Sequence, residues 1–352
     1  MKWLTLDTQV WQYALMPASR NVRRELVWAT EALGFQLAYT DELVREIVDT
    51  KKDWKTARRV AEAVGELTSD VMVESNHAAN ARELCDALRR DHPDWAGSMD
   101  VNRAALHAKW TRDALWRTVR GAVSGRTIPQ HETEVIARDH SHHDRNRHGG
   151  FLRDIGHHTQ LDANEVLAAL RTEIAARRDG TWSPDPPAQR DKVETPLGLR
   201  RDQIEARFRI DLMFEVVEAL DIARRETQGD LVENDVRRMY VHRLSCDARD
   251  FASWALKELR DDDLPTRRIA VAVALGQTLD GYRASNVGDR EHAAVMSRSG
   301  LFVTADRKLA AVLGHQKLPR WIPQRWMLLE KQSTDGFREL VRQLSKATRQ
   351  SN

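Results

Sequence analysis

Gly288-Asp289-Arg290-Glu291-His292-Ala293-Ala294, followed five residues later by Gly300-Leu301-Phe302-Val303-Thr304-Ala305-Asp306-Arg307-Lys308-Leu309-Ala310, is the stretch whose reading decides the fold. The apolar run 301–304, opened by Gly300 and closed before Asp306, has the length and composition of a buried strand. Helical spacing flanks it at 289–297 and 306–313. Helix, strand and helix, with an aspartate at the strand's exit, make a unit of a parallel sheet. A lone strand has nothing to pair with, so the sheet must be completed elsewhere. Residues 326–330 supply one further strand downstream.

The others come from the opposite end of the chain. Lys2-Trp3-Leu4-Thr5-Leu6 reads as a short buried strand ending at Asp7. A helical pattern begins at 10–16, a second helix at 20–33 is stopped by Gly34, residues 35–39 form another strand, and 41–48 start a helix with Thr40 or Asp41 as its N-cap. Between these two ends strand signals vanish. Helical patterns at 54–67, 80–90, 104–123 and 204–225 fill the middle, broken by a His-rich stretch (131–158) and a Pro-rich one (179–198), both read as loops. No internal repeat is visible. The expectation is one discontinuous α/β domain, residues 1–50 and 264–352, with a small parallel sheet interrupted by a large all-helical insertion at 51–263.

Composition narrows the class. Charged residues at 31% against 41% hydrophobic, with few Gly and Pro, suit a chain of amphipathic helices. The longest apolar run, 269–275, falls short of the roughly 18 to 20 residues that cross a bilayer. Asp7 interrupts any signal-like apolar region, so no secretory signal and a cytoplasmic location are expected. Cys85 and Cys246 are far apart and lack CxxC spacing, which predicts reduced thiols and neither a zinc ribbon nor a disulfide framework. Net charge is +2, but residues 301–352 hold ten Lys/Arg against four Asp/Glu, leaving −4 for the remainder. That basic end is suited to phosphate, although a solvated basic helix at 335–349 explains it equally well.

Four carboxylates are placed to do chemistry. Asp7 and Asp306 each stand where a parallel strand runs into its loop, the edge at which open α/β sheets bind ligands. Asp289 and Glu46 are expected to descend from the first turns of two helices, with Glu42 or Asp49 replacing Glu46 if the register differs. Taken singly, each has a plain structural role: Asp7, Asp289 and Asp306 as helix caps, Glu46 as an exposed helical acid. Taken together, they would repel one another, raising some pKa values or attracting a divalent cation. Hard oxygen donors favour Mg²⁺ or Mn²⁺. Such an ion activates water for in-line attack on a phosphodiester. Thr304 is placed to orient a carboxylate. A phosphatase using a strand-end Asp as nucleophile needs a second Asp two residues on, where this chain has Gln9.

The same residues carry a family resemblance. Leu4-Thr5-Leu6-Asp7-Thr8, Leu43-Val44-Arg45-Glu46-Ile47 and the C-terminal stretch from Gly288 to Ala310 resemble the opening strand, the glutamate helix and the closing half of the PIN-domain nucleases, the VapC-toxin-like superfamily. The matches cover about the first fifty and last ninety residues. The resemblance implies a three-layer α/β/α fold and a Mg²⁺- or Mn²⁺-dependent endonuclease with Asp7, Glu46, Asp289 and Asp306 as catalytic and metal-binding residues. It further implies RNA rather than DNA as substrate, and a toxin or defence effector restrained by a protein partner. The alternative is a catalytically inactive PIN-like module that binds nucleic acid or protein.

Other conspicuous residues have plainer readings. His131, His140, His142, His143, His148, His157 and His158 have zinc-like spacings in places but no Cys beside them, and a loop gripping nucleic acid is preferred. Of eleven tryptophans, Trp54, Trp110, Trp116 and Trp254 lie in helical patterns and are expected in the core. Arg267 and Arg268 read as a solvated helix start.

Overall fold

The computed structural model describes residues 2–49, 54–95, 163–178, 205, 208–213, 216, 244–260, 262–279, 286–315 and 326–351. Its centre is a four-stranded, all-parallel sheet in the order β2-β1-β3-β4. The strands are β1 (Lys2–Leu6), β2 (Phe35–Ala38), β3 (Leu301–Thr304) and β4 (Trp326–Leu328). The two ends of the chain therefore meet at the middle of the sheet. Leu4 pairs with Leu301, Thr5 with Phe302 and Leu6 with Val303.

Side chains alternate across a strand, and this register sorts the sheet into two faces. Leu4, Leu6, Leu37 and Val303 share one core, covered by α1 (Thr8–Leu15), α2 (Arg20–Ala32), α3 (Asp41–Asp49), α4 (Trp54–Thr68) and the C-terminal α11 (Thr334–Ser351). Phe302 faces the other way, into a larger core. That core is filled from α5 (Asn76–Asp91), α6 (Ala163–Arg178), α7 (Ala248–Lys257), α8 (Pro265–Leu279), α9 (Asn286–Ala294) and α10 (Arg307–His315). Phe302 is fully buried, which contributes on the order of 2 to 3 kcal/mol of apolar transfer free energy. Helices on both faces explain why the strands read as continuous apolar runs rather than alternating ones.

Most element boundaries follow local chemistry. Gly34, at φ +75°, ends α2 by taking the left-handed conformation that glycine adopts without cost, and its N–H closes on the Glu31 carbonyl at 2.8 Å. Of the two N-caps expected for α3, Thr40 serves: its Oγ1 accepts from Leu43 N at 3.2 Å. Helix α5 starts four residues before the periodicity at 80–90 because Ser75 caps it, accepting from Ala78 N. Helix α9 begins at Asn286 and gives way to a 3-10 turn at Val295–Ser297, where a helix over 289–297 is expected from spacing. The expected second strand at 35–39 ends one residue early, Tyr39 instead bridging to Met72.

Cys85 and Cys246 are both buried, and neither is joined in a disulfide. Trp254 is fully buried with its indole N–H donating to Asp91 at 3.1 Å. The solvated helix start expected at Arg267 and Arg268 is incorrect. Arg268 is 3% exposed, lies over the Phe208 ring, and donates to the Asp263 and Arg260 carbonyls and to Glu205. Arg267 donates to the Asp211 carbonyl. A guanidinium can be buried only when its donors are matched, and nearby carbonyls match them here. Among the described residues no helix is long and apolar enough to cross a membrane. The helix expected at 104–123, Trp110, Trp116, and the His-rich and Pro-rich stretches lie outside the described residues, as does most of 204–225.

Candidate active site

Because β1 and β3 are neighbours, their carboxyl ends open side by side. Asp7 N donates to the Val303 carbonyl at 2.9 Å, extending the ladder by one step. The Asp7 carboxylate is then held from both sides. One oxygen accepts from Val10 N at 2.8 Å, capping α1, and the other from Ala305 N at 2.8 Å, tying the β3 loop to the β1 loop. The helix cap and the position at the carboxyl edge of the sheet are thus the same geometry. Asp306 shows the same duality. Its Oδ1 caps α10 through Lys308 N and Leu309 N, while its own N–H donates to Thr304 Oγ1 at 2.9 Å. The buried Thr304 hydroxyl also bonds the Asp7 side chain, so it orients a carboxylate as the sequence suggests.

Asp289 lies in the first turn of α9. Glu46 lies in the second turn of α3 rather than the first, since that helix starts at Asp41. Both converge with the aspartates, and electrostatics makes this visible. Burial, and then repulsion from Asp306 with Glu46 and Asp7 adding, push the Asp289 carboxyl up to about 7, although His292 pulls the other way. Asp7 is 5% exposed, and burial raises it above its ordinary value against hydrogen bonds from Thr304, Val10 and Ala305.

His292 is the member of this cluster that sequence reasoning missed. It sits three residues after Asp289, one turn along the same face of α9, and is 3% exposed. Its Nε2 is 3.4 Å from Glu46 Oε2 and 3.2 Å from Thr8 Oγ1. Burial works to lower its pKa, but the Glu46 hydrogen bond and the charges of Glu46, Glu42 and Asp7 push it up to about 9. Burial in turn works to raise Glu46, yet His292 and Thr8 hold it below its ordinary value. Glu42, the alternative to Glu46, is buried nearby and contributes charge to His292. The signal that could have revealed His292 is the Asp289-x-x-His292 spacing.

The donor set, carboxylate oxygens, is of the kind a hard divalent cation takes, and burial first, with repulsion from the neighbouring carboxylates adding, holds Asp289 up at about 7. Its spacing is looser. Among the described residues no group of three or more His, Cys, Asp or Glu is gathered about one point in ligating geometry. Compared with protein-family models, with curated proteins and with solved structures, the chain matches none.

Proposed function

We propose that the chain is a Mg²⁺- or Mn²⁺-dependent endonuclease hydrolysing phosphodiester bonds, with RNA as its substrate class, built on a PIN-like α/β domain that a helical insertion interrupts. One observation carries this reading. Two adjacent parallel strands and two helices bury Asp289 and bring Asp306, Glu46 and Asp7 within electrostatic reach of it, and burial first, with their repulsion adding, holds its carboxyl at about 7. A purely structural cluster gains nothing from such repulsion, whereas a cation-binding one is relieved by its ligand.

Asp7 is fixed by its two backbone donors and Thr304, Asp306 by its place at the start of α10, and Asp289 by the first turn of α9. A bound divalent ion would supply a water of lowered pKa and offset the phosphate charge. The toxin or defence role, with an inhibitory protein partner, rests on the family resemblance alone.

Asp306→Asn provides the test, because asparagine caps a helix about as well as aspartate. Cleavage of RNA in Mn²⁺ should fall by at least about 100-fold while the melting temperature stays near that of the wild type. Full activity in this variant would refute the reading. The looseness of the carboxylate grouping favours a second reading, a non-catalytic module of PIN-like fold that binds nucleic acid or protein. Calorimetry in which neither wild type nor Asp306→Asn takes up Mn²⁺ would leave only that one.

A further inference from the structure

The C-terminal turns of α2 and α4 border an open cleft of about 300 Å³, lined by the apolar Val27, Trp28 and Leu67 and by the exposed, charged Arg24, Glu31 and Glu66. That volume is at the lower end of what small-ligand pockets occupy, with room for one side chain and not for a large cofactor. Trp28 is 50% exposed. A single exposed tryptophan is ordinary on a protein surface, but its setting here is not. Glu31 lies in the last turn of α2 and Glu66 in the last turn of α4, and neither helix has a basic residue there. A helix C-terminus carries partial negative charge and favours Lys, Arg or His beside it. Two carboxylates thus stand against two negative helix ends. Among the described residues neither Glu31 nor Glu66 forms an ion pair. The charge of Arg23 reaches Glu66, but its donors are engaged by the carbonyls of Ala14, Leu15 and Met16.

We propose that this cleft is the docking site of a protein partner that inserts an arginine, its guanidinium lying on the Trp28 ring with its charge met by Glu31 and Glu66. Charge complementarity selects a cation, since positive charge is what two carboxylates and two helix ends lack. The apolar wall selects arginine among cations. Its planar, weakly hydrated guanidinium stacks on an aromatic face and forks onto a carboxylate, while its stem covers apolar surface such as Val27 and Leu67. A nucleic-acid strand fits poorly, because its phosphates would meet both carboxylates with Arg24 alone among the lining residues to offset them. Arg24, one turn before Trp28, opposes the incoming guanidinium and limits its affinity. The docking site goes beyond the endonuclease reading and does not depend on it. Helix α2 runs through Gly34 into β2, whose first residue pairs with Lys2, so α2 ends at the amino edge of the sheet. Asp7 and Asp306 stand at the carboxyl edge.

N-acetyl-arginine methylamide, titrated into the full chain, is the probe. The Trp28 indole N–H is followed by ¹H–¹⁵N NMR and identified among the eleven tryptophans by its loss in Trp28→Phe. It should shift saturably, with a Kd of roughly 1 to 10 mM. The citrulline analogue, of the same shape without the charge, should bind at least about 5-fold more weakly. Glu31→Gln combined with Glu66→Gln should weaken arginine binding by at least about 3-fold, and Arg24→Gln should strengthen it by about 2-fold. All of these positions are on the surface, so each variant should keep the wild-type melting temperature. No saturable shift at roughly 50 mM probe, equal binding of the citrulline analogue, or unchanged affinity in the double carboxylate variant would overturn the proposal. So would a Trp28 shift produced by single-stranded oligouridylate and abolished by Arg24→Gln, which would assign the cleft to nucleic acid. None of these outcomes touches cleavage at the carboxylate edge, which Asp306→Asn tests separately.

Discussion

Asp289 and His292 lie one turn apart on α9 and are perturbed in ways that both weaken the metal-free fold as pH rises. The Asp289 carboxyl is raised from 3.8 to about 7, so its charged form is disfavoured in the folded state. Below about 4 it is protonated folded or unfolded and costs nothing; between about 4 and 7 the unfolded chain releases its proton first, and stability falls. His292, raised from 6.5 to about 9, contributes stability that is complete below about 6.5 and lost as pH climbs through 9. Glu46 opposes this only on the acid side, since its lowered pKa contributes stability that disappears as pH falls. In EDTA the melting temperature should therefore decline steadily between pH 6 and pH 9. Asp289→Asn should raise stability at pH 8 by roughly 1 to 3 kcal/mol, discounted for the group's partial exposure. Excess Mn²⁺ should flatten the decline in the wild type. A melting temperature that rises toward pH 9 without metal would contradict the charges assigned to these two residues.

At the scale of elements, α9 matters most because it carries both groups, and its seat is polar. Asn76, the first residue of α5, donates from Nδ2 to the Glu291 carbonyl and to the Glu291 carboxylate, each at 2.8 Å. That carbonyl belongs to the last turn of α9, where no intrahelical donor is available. The Asn76 Oδ1 accepts from Arg298, whose guanidinium also donates to Thr266 and Ser297, and Thr266 is in turn fastened to Glu83. One amide thus clasps the ends of α5, α8 and α9 together. Asn76→Ala should cost about 1 to 3 kcal/mol in urea unfolding, since it leaves Arg298 short of a buried acceptor. A loss below about 0.5 kcal/mol would show that the clasp does not carry α9. This clasp also marks what could be read from sequence. The strands, Gly34, and the caps at Asp7 and Asp306 were legible because each depends on neighbours within a few residues. The pairing of Glu46 with His292, the reach of Asn76 to Glu291 and the burial of Arg268 join positions far apart in the chain. Local periodicity holds no trace of them, and only the packing of helices on the sheet creates them.

Over the whole molecule, charge is divided in a way that bears on the proposed substrate. The surplus of Lys/Arg lies in residues 301–352, and the sheet order puts the described residues at the exits of β3 and β4 beside the carboxylates because both strands emerge at the same edge. The loop after β4 is fastened there: Gln332 donates to the Ala305 carbonyl at 2.7 Å and Arg307 to the Glu330 carbonyl at 2.9 Å. Lys308, in the first turn of α10, and Lys331, on the loop after β4, are both exposed, against the nearby exposed Glu330. A strand of RNA whose scissile phosphate reaches Asp306 must pass this edge, and its neighbouring phosphates would meet the two ammonium groups. Each neutralised phosphate on a single strand contributes about −0.7 to the slope of log affinity against log salt. Lys308→Gln with Lys331→Gln should therefore weaken single-stranded RNA binding, measured by fluorescence anisotropy in EDTA, and make the salt slope shallower by about 1.4. Loss of affinity with an unchanged slope would mean that these lysines act through the loops and not through phosphate. An unchanged affinity would direct the substrate path away from the β3–β4 side, toward the α3 and α9 helices that flank the carboxylates on the other.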